Sequence, residues 1–326
     1  MNGRGDERVR RPLGVFVGLA TLDIVHRVGR RPEVNEKVTA LRQDVAAGGP
    51  AAGAAVVFAA LGGRARLVTA LGTDPIARMI RAELTSRGVE VVDVTPDAAT
   101  PPAVSAVTVL DSTGERAVTS RDAAGHDVAA PPDLARHLVG AQVVLVDGHH
   151  GQLAVAATRV ATAAEPAGAD ERPLVVLDAG RWRPAMAHLL AGVDIAICSA
   201  GFRAPGTTDA DASAIALLEA GAGCVATTHG GDPVQWWRPA ASGSASTGTI
   251  AVPRVEVIDT LGAGDAFHGA FAWFVVQRPY DDDGAAVRRA LDSAARVAAF
   301  RCTVAGPRAW LDALTSGATD PGMIRR

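Results

Sequence analysis

The chain has 326 residues, 48% of them hydrophobic, and a formal net charge of −3. That length suits one large α/β unit, the charge offers no basic excess for nucleic acid or an anionic membrane surface, and no apolar run reaches the roughly 18–20 residues needed to cross a bilayer. Lys37 is the only lysine, and its surroundings, NEKVTALRQDV, are neither a P-loop nor a protein-kinase strand, so both of those phosphate-binding classes are excluded.

Residues 1–12 carry four arginines and two acids with no apolar region after them, which reads as an N-terminal tail rather than a signal peptide. Val15–Leu19 is a buried strand. Ile24–Val28 and Val38–Val45 alternate polar with apolar residues and belong to no strand–helix unit. Gly48-Gly49 opens a helix of small residues over Pro50–Leu61, Ala65–Leu71 is a strand, and Pro75–Arg87 is a helix with proline in its first turn. Val89–Val94 follows, then Ala103–Leu110 and Arg116–Ser120, joined by a turn at Gly114. Val143–Val146, Leu174–Leu177, Val193–Ile197 and Cys224–Thr228 are short, wholly apolar strands between helical stretches, the pattern of a parallel sheet covered on both faces. The alternating segments, about 24–45 and 103–120, form a second, small sheet. Cys198, Cys224 and Cys302 are scattered and suggest neither a disulfide framework nor a metal site. The expected compartment is the cytoplasm.

The densest information lies in VIDTLGAGDAFHGAFAWFVV, Val257 to Val276. A β-branched run ends at Asp259-Thr260, the small residues Gly262, Ala263 and Gly264 make a turn, and Asp265 opens an apolar helix. Backbone N–H groups exposed at such a turn form an anion site. A carboxylate there repels an anion, so its task is to take a proton from a hydroxyl while the N–H groups hold a transferring phosphoryl group. A plain helix N-cap is the competing role for Asp265.

The stretch resembles the D-T-x-G-A-G-D signature of ribokinase-like sugar kinases, the phosphofructokinase B family. All fixed letters are present: Asp259, Thr260, Gly262, Ala263, Gly264 and Asp265. GLATLDIVHRV (Gly18 to Val28) is similar to the family's first strand, Gly48 to Val91 to its second signature, and Gly114-Glu115-Arg116 and Arg301 to Pro307 extend the likeness over nearly the whole chain. The resemblance implies an α/β fold, a three-layer α/β/α sandwich with a central, mostly parallel sheet and a small β-sheet lid. Residues 13–315 would be a single kinase domain, with 316–326 a C-terminal tail. It implies phosphorylation of a sugar hydroxyl by ATP with Mg²⁺, is compatible with a monovalent cation such as K⁺, and suggests a homodimer joined through the lids. A nucleoside or hydroxymethylpyrimidine kinase, or a catalytically silent sugar sensor, would share the fold.

On the sugar side the resemblance implies Asp23, Gly48, Gly49, Asp265 and, from the lid and a strand end, Ser120, Arg121 and His149. Asp23 also suits a turn cap and Arg121 a solvated surface charge. His149-His150 could suggest a metal, but neighbours in an extended segment point apart. On the nucleotide side stand Thr228, Gly230, Thr260, Gly262, Gly264 and Gly306, for most of which core packing competes. Two departures stand out. Gly49-Pro50-Ala51-Ala52-Gly53 replaces Gly-Gly-Asn-x-x-Asn and resembles the ketohexokinase-like branch containing sulfofructose kinase, though His149 stands where that pattern has a sulfonate-binding arginine. Cys198-Ser199-Ala200-Gly201-Phe202 replaces the family's N-x-x-E, leaving the metal ligands unassigned.

Overall fold

Short runs of valine, leucine and isoleucine can be strands only where helices hide both faces, and the computed structural model shows that arrangement over residues 11–124, 128–163, 172–240, 245–277 and 284–315. The first half of the chain gives β1 (Leu13–Val17), β2 (Thr21–Val28), β3 (Arg42–Gly48), α1 (Pro50–Ala60), β4 (Arg64–Thr69), α2 (Pro75–Ser86), β5 (Val89–Asp93), β6 (Val104–Leu110), β7 (Arg116–Ser120), α3 (Leu134–Leu138), β8 (Val143–Val146) and α4 (Gly151–Ala163). The second gives β9 (Leu174–Ala179), β10 (Ile195–Ser199), α5 (Ala210–Glu219), β11 (Cys224–His229), β12 (Asp232–Pro239), β13 (Ala245–Ile250), α6 (Ala263–Val275), α7 (Ala285–Cys302) and α8 (Ala309–Thr315). The tails expected at the two ends fall almost entirely outside the described residues.

The main sheet has the order β13-β12-β11-β10-β9-β8-β1-β4-β5. It is parallel from β11 to β5 and ends in the antiparallel pair β12 and β13, which the sequence reading did not anticipate. Because side chains alternate along a strand, each apolar run feeds two cores. Val143, Leu145, Val176, Ile195 and Ile197 pack with Phe58 of α1, Phe271 of α6 and Leu291 of α7. Val144, Val146, Val175, Leu177 and Ala196 pack with Leu153 of α4 and Leu217 of α5. Phe58 anchors the first core: its ring meets Phe16 edge-on at 5.4 Å and Trp273 at 5.6 Å, geometry worth about 0.5–1.5 kcal/mol per pair beyond the area buried.

The second sheet, β3-β2-β6-β7, is the lid. It runs from Thr21 to Gly48 and from Val104 to Ser120, somewhat wider than the sequence suggested. Its register places Asp23 beside Ser105 and Ser105 beside Ser120. Alternation then sets Asp23, Val25 and Arg27 on the face turned toward α6, with Ser105, Val107 and Val109 next to them. Val25, Val107 and Val109 close a small core over Leu261.

Candidate active site

The start of α6 is set by backbone conformation. Gly262 is the N-cap, with φ 73° in the left-handed region that favours glycine, and no side chain caps the helix. Asp265 is therefore the third helical residue, free of the capping role and turned into a cavity of about 360 Å³. Burial, then the nearby Asp178 and Asp23 charges, push its carboxyl up to about 7, against the opposing pull of His268 and Arg116. The carboxylate rests on α1 at Gly53, where a Cβ would stand 2.4 Å from Oδ2. Asparagine at that position, as in the usual family pattern, would collide with the carboxylate as it lies here.

Across the cavity, Thr21 Oγ1 donates to Asp23 Oδ1 at 2.6 Å. Burial raises the Asp23 pKa despite that bond and another with Ser105. The glycine pair closes behind it. A Cβ on Gly48 would stand 2.1 Å from the Asp23 carboxylate, and Gly49, at φ 93°, lies against the Leu19 carbonyl.

Asp147, at the C-terminal end of β8, is the joint between three elements. It accepts N–H bonds from Leu19 at 2.8 Å, His149 at 2.9 Å and Ala51 at 3.2 Å. Burial alone would raise its pKa, but the His149 charge and these bonds outweigh that and hold it at about 2. His149 lies 3.2 Å from Asp147 through Nδ1, an ionic contact without hydrogen-bond alignment, and 3.5 Å from Asp122 through Nε2. Burial opposes its protonation, yet the two carboxylates prevail and lift it to about 9, so it is a cation at neutral pH. On the neighbouring strand end Asp178 is buried, which raises its pKa, and it lies 3.5 Å from His268 Nδ1. That nitrogen donates to the Gly264 carbonyl at 2.8 Å and so steadies the first turn of α6.

Behind the turn lies a second, structural network. Asp259 is 1% exposed and pairs with Arg27 of the lid at 3.1 Å and Arg301 of α7 at 3.6 Å. It also accepts the N–H groups of Leu261 and Gly306, both at 2.9 Å. Thr260 donates its hydroxyl to Gly114 at 2.9 Å, while Arg116 donates to the Thr260 carbonyl at 2.9 Å. The turn at the start of α6 and the lid hairpin are thus bonded to each other.

Of the residues expected from sequence, Asp23, Gly49, Ser120, His149, Gly262, Gly264 and Asp265 line one cavity. Gly48 lies behind Asp23, and the Ala263 N–H bonds back to the Thr260 carbonyl at 3.3 Å. Arg121 is exposed and not among the lining residues; its neighbour Asp122 reaches in instead. Thr228, one residue before the end of β11, donates its hydroxyl to the Cys198 carbonyl at 3.3 Å, Gly230 turns at φ 65° toward β12, and Gly306 binds Asp259; none of the three lines the cavity. Asp122, Asp178, Arg181 and Arg183 line it without having been singled out in the sequence. Adjacent strand ends bring them together, a juxtaposition no local motif announces.

Among the described residues the side chains form no cage for a divalent cation. Ser199 donates to the Gly180 carbonyl at 2.7 Å, and Phe202 is buried with its ring 6.2 Å from Trp182. Among the described residues no group of three or more His, Cys, Asp or Glu is placed to hold a metal.

The pfkB family of carbohydrate kinases matches residues 12–314. The chain is 29% identical over 267 residues to an ATP-dependent ribose-1-phosphate kinase of Halopiger xanaduensis, across 78% of this chain and 81% of that one. Among solved structures, a candidate ribokinase from Agrobacterium tumefaciens superposes with a TM-score of 0.75 at 25% identity, covering 94% of this chain and 97% of the other. The ribokinase of Giardia lamblia gives 0.73 at 19% identity over 94% and 99%. These likenesses and the site they surround lead to one conclusion: the chain belongs to the pfkB family of carbohydrate kinases.

Proposed function

We propose that the protein transfers the γ-phosphoryl group of ATP to a sugar hydroxyl, with Asp265 as the general base. The observation that supports this reading most is the placement of Asp265 in the first turn of α6, inside the cavity that also holds Asp23. Asp23 and Ser120 would hold sugar hydroxyls. The reacting hydroxyl would give its proton to Asp265 as its oxygen bonds to phosphorus and the bond to the ADP oxygen breaks. With the Ala263 N–H bonded to Thr260, the backbone N–H groups of Gly262 and Gly264 would face the equatorial oxygens of the moving group, so the work is positioning and electrostatics. His268 would keep that turn in place through Gly264.

Mg²⁺ would arrive on the phosphate oxygens of ATP, in keeping with its habit of retaining waters and substrate phosphates as ligands. Thr228, Gly230 and Gly306 are the proposed nucleotide-side positions. The outer face of the lid supports a homodimer: Val45, 46% exposed, pairs with Ile24, and Ile24 with Ala106, giving an apolar row. ATP turnover measured across ketoses, aldoses, sugar acids, sugar phosphates and nucleosides tests the reading. Turnover with nucleosides alone would replace the sugar by a nucleoside, and none with any acceptor would remove the kinase assignment.

A further inference from the structure

One wall of the cavity is not used by the phosphoryl-transfer chemistry. It carries Arg181 and Arg183, which follow the end of β9, and His149, which follows the end of β8. All three face a single carboxylate. Asp122 stands 3.2 Å from Arg183, 3.4 Å from Arg181 and 3.5 Å from His149. Three cations sharing one carboxylate at these distances use little of their donor capacity, since each guanidinium alone has five N–H groups in a fork made for oxyanions. Asp147 is the other acid beside His149, and its oxygens are already committed to backbone N–H groups. Arg181, Arg183 and His149 set three positive charges against the two negative ones of Asp122 and Asp147, while Asp178 lies 3.5 Å from a different partner, His268.

Asp122 itself is held in a strained way. It has φ 56°, one of two non-glycine residues in the left-handed region among the described residues. It lies just past the end of β7, on the lid, whereas its three partners belong to the main body. The wall and Asp265 line the same cavity.

We infer that the acceptor sugar carries an anionic substituent, a carboxylate or a phosphate, that displaces the Asp122 carboxylate and binds Arg183, Arg181 and His149. This rests on the kinase reading of the cavity only for the word acceptor; the binding itself does not require transfer. A charge-assisted contact of this kind contributes about 10- to 100-fold in affinity.

The test is calorimetric titration of the full-length protein without ATP. The ligands are aldonic acids beside the matching alditols, and pentose and hexose monophosphates beside the free sugars. At least one anionic ligand should bind ten-fold or more tighter than its uncharged parent, and the acid and phosphate arms identify which oxyanion fits. Arg183→Gln should reduce that preference to about three-fold or less, and Arg183→Lys should recover part of it. Asp122→Asn should strengthen binding of the anionic ligand by several-fold, since it removes a competitor; a merely structural Asp122 would give a loss. Equal binding of charged and uncharged partners, no binding by any charged ligand, or weaker anion binding by Asp122→Asn overturns the inference. Charge-selective binding with no ATP turnover would leave it standing and remove the kinase reading instead.

Discussion

Asp265 combines a low-dielectric position with two neighbouring acids, and its proton affinity follows from that. With its pKa near 7, it is about half ionised at neutral pH. Since only the ionised form accepts a proton, kcat/KM should fall about ten-fold per pH unit below 7 and level off above it. A profile flat from pH 5 to 8 would separate the base from this carboxyl. Asp265→Asn keeps the shape and loses the basicity, so turnover should drop roughly 10²–10⁴-fold with sugar binding retained; a mutant keeping a tenth of wild-type turnover would exclude the role. The linkage to stability runs in the same direction. A carboxyl raised from 3.8 to about 7 holds its proton more tightly folded than unfolded, so its ionisation costs stability above pH 7 and nothing below 3.8. Asp265→Asn should therefore raise the melting temperature at pH 8 more than at pH 5, and equal shifts at both would contradict the burial argument. Gly53 supplies a further check. A methyl group there would meet the Asp265 carboxylate at 2.4 Å, so Gly53→Ala should cost at least ten-fold in turnover, as steady-state kinetics would show.

At the scale of elements, the lid strand β2, helix α7 and the loop at Gly306 all meet on Asp259. Removing one partner of a buried ion pair leaves an uncompensated charge and costs about 3–5 kcal/mol. Arg301→Met should accordingly destabilise the protein by that order in urea unfolding, whereas a change under 1 kcal/mol would show Arg27 alone to be sufficient. Much of this level was legible beforehand. Val143–Val146 matched β8 residue for residue because an all-apolar run flanked by polar residues leaves one solution, and the glycine turn announced α6 through its backbone needs. The antiparallel β12 and β13 were not legible. Pro233 and Pro239 bracket one of them, and the other reads ASTGTI, with no apolar alternation to follow. The cationic wall was equally hidden, since Arg181, Arg183, Asp122 and His149 are assembled by strand order, which local sequence does not encode.

For the molecule as a whole, the lid offers the clearest prediction. An edge-exposed sheet with an apolar outer row is normally covered, and a second copy of the chain would cover Val45, Ile24 and Ala106 at once. Light scattering at micromolar concentration should give twice the monomer mass, and Val45→Glu should return it to one. A wild-type monomer would leave the lid uncovered and dismiss the pairing.

The lid sheet is closed by β2 running parallel to β6, and everything from β3 to β5 lies between them in the chain. Two strands so far apart in sequence are slow to meet until the intervening β3–α1–β4–α2–β5 segment has brought their ends into range, because loop closure over a floppy segment is entropically opposed. The lid is thereby fixed as a late event of folding. By the same reasoning it is an early event of opening, and amide exchange should find β6 and β7 the least protected strands of the molecule while β1 and β8 exchange last. The strands that wait longest for their partners would then be the first to part from them.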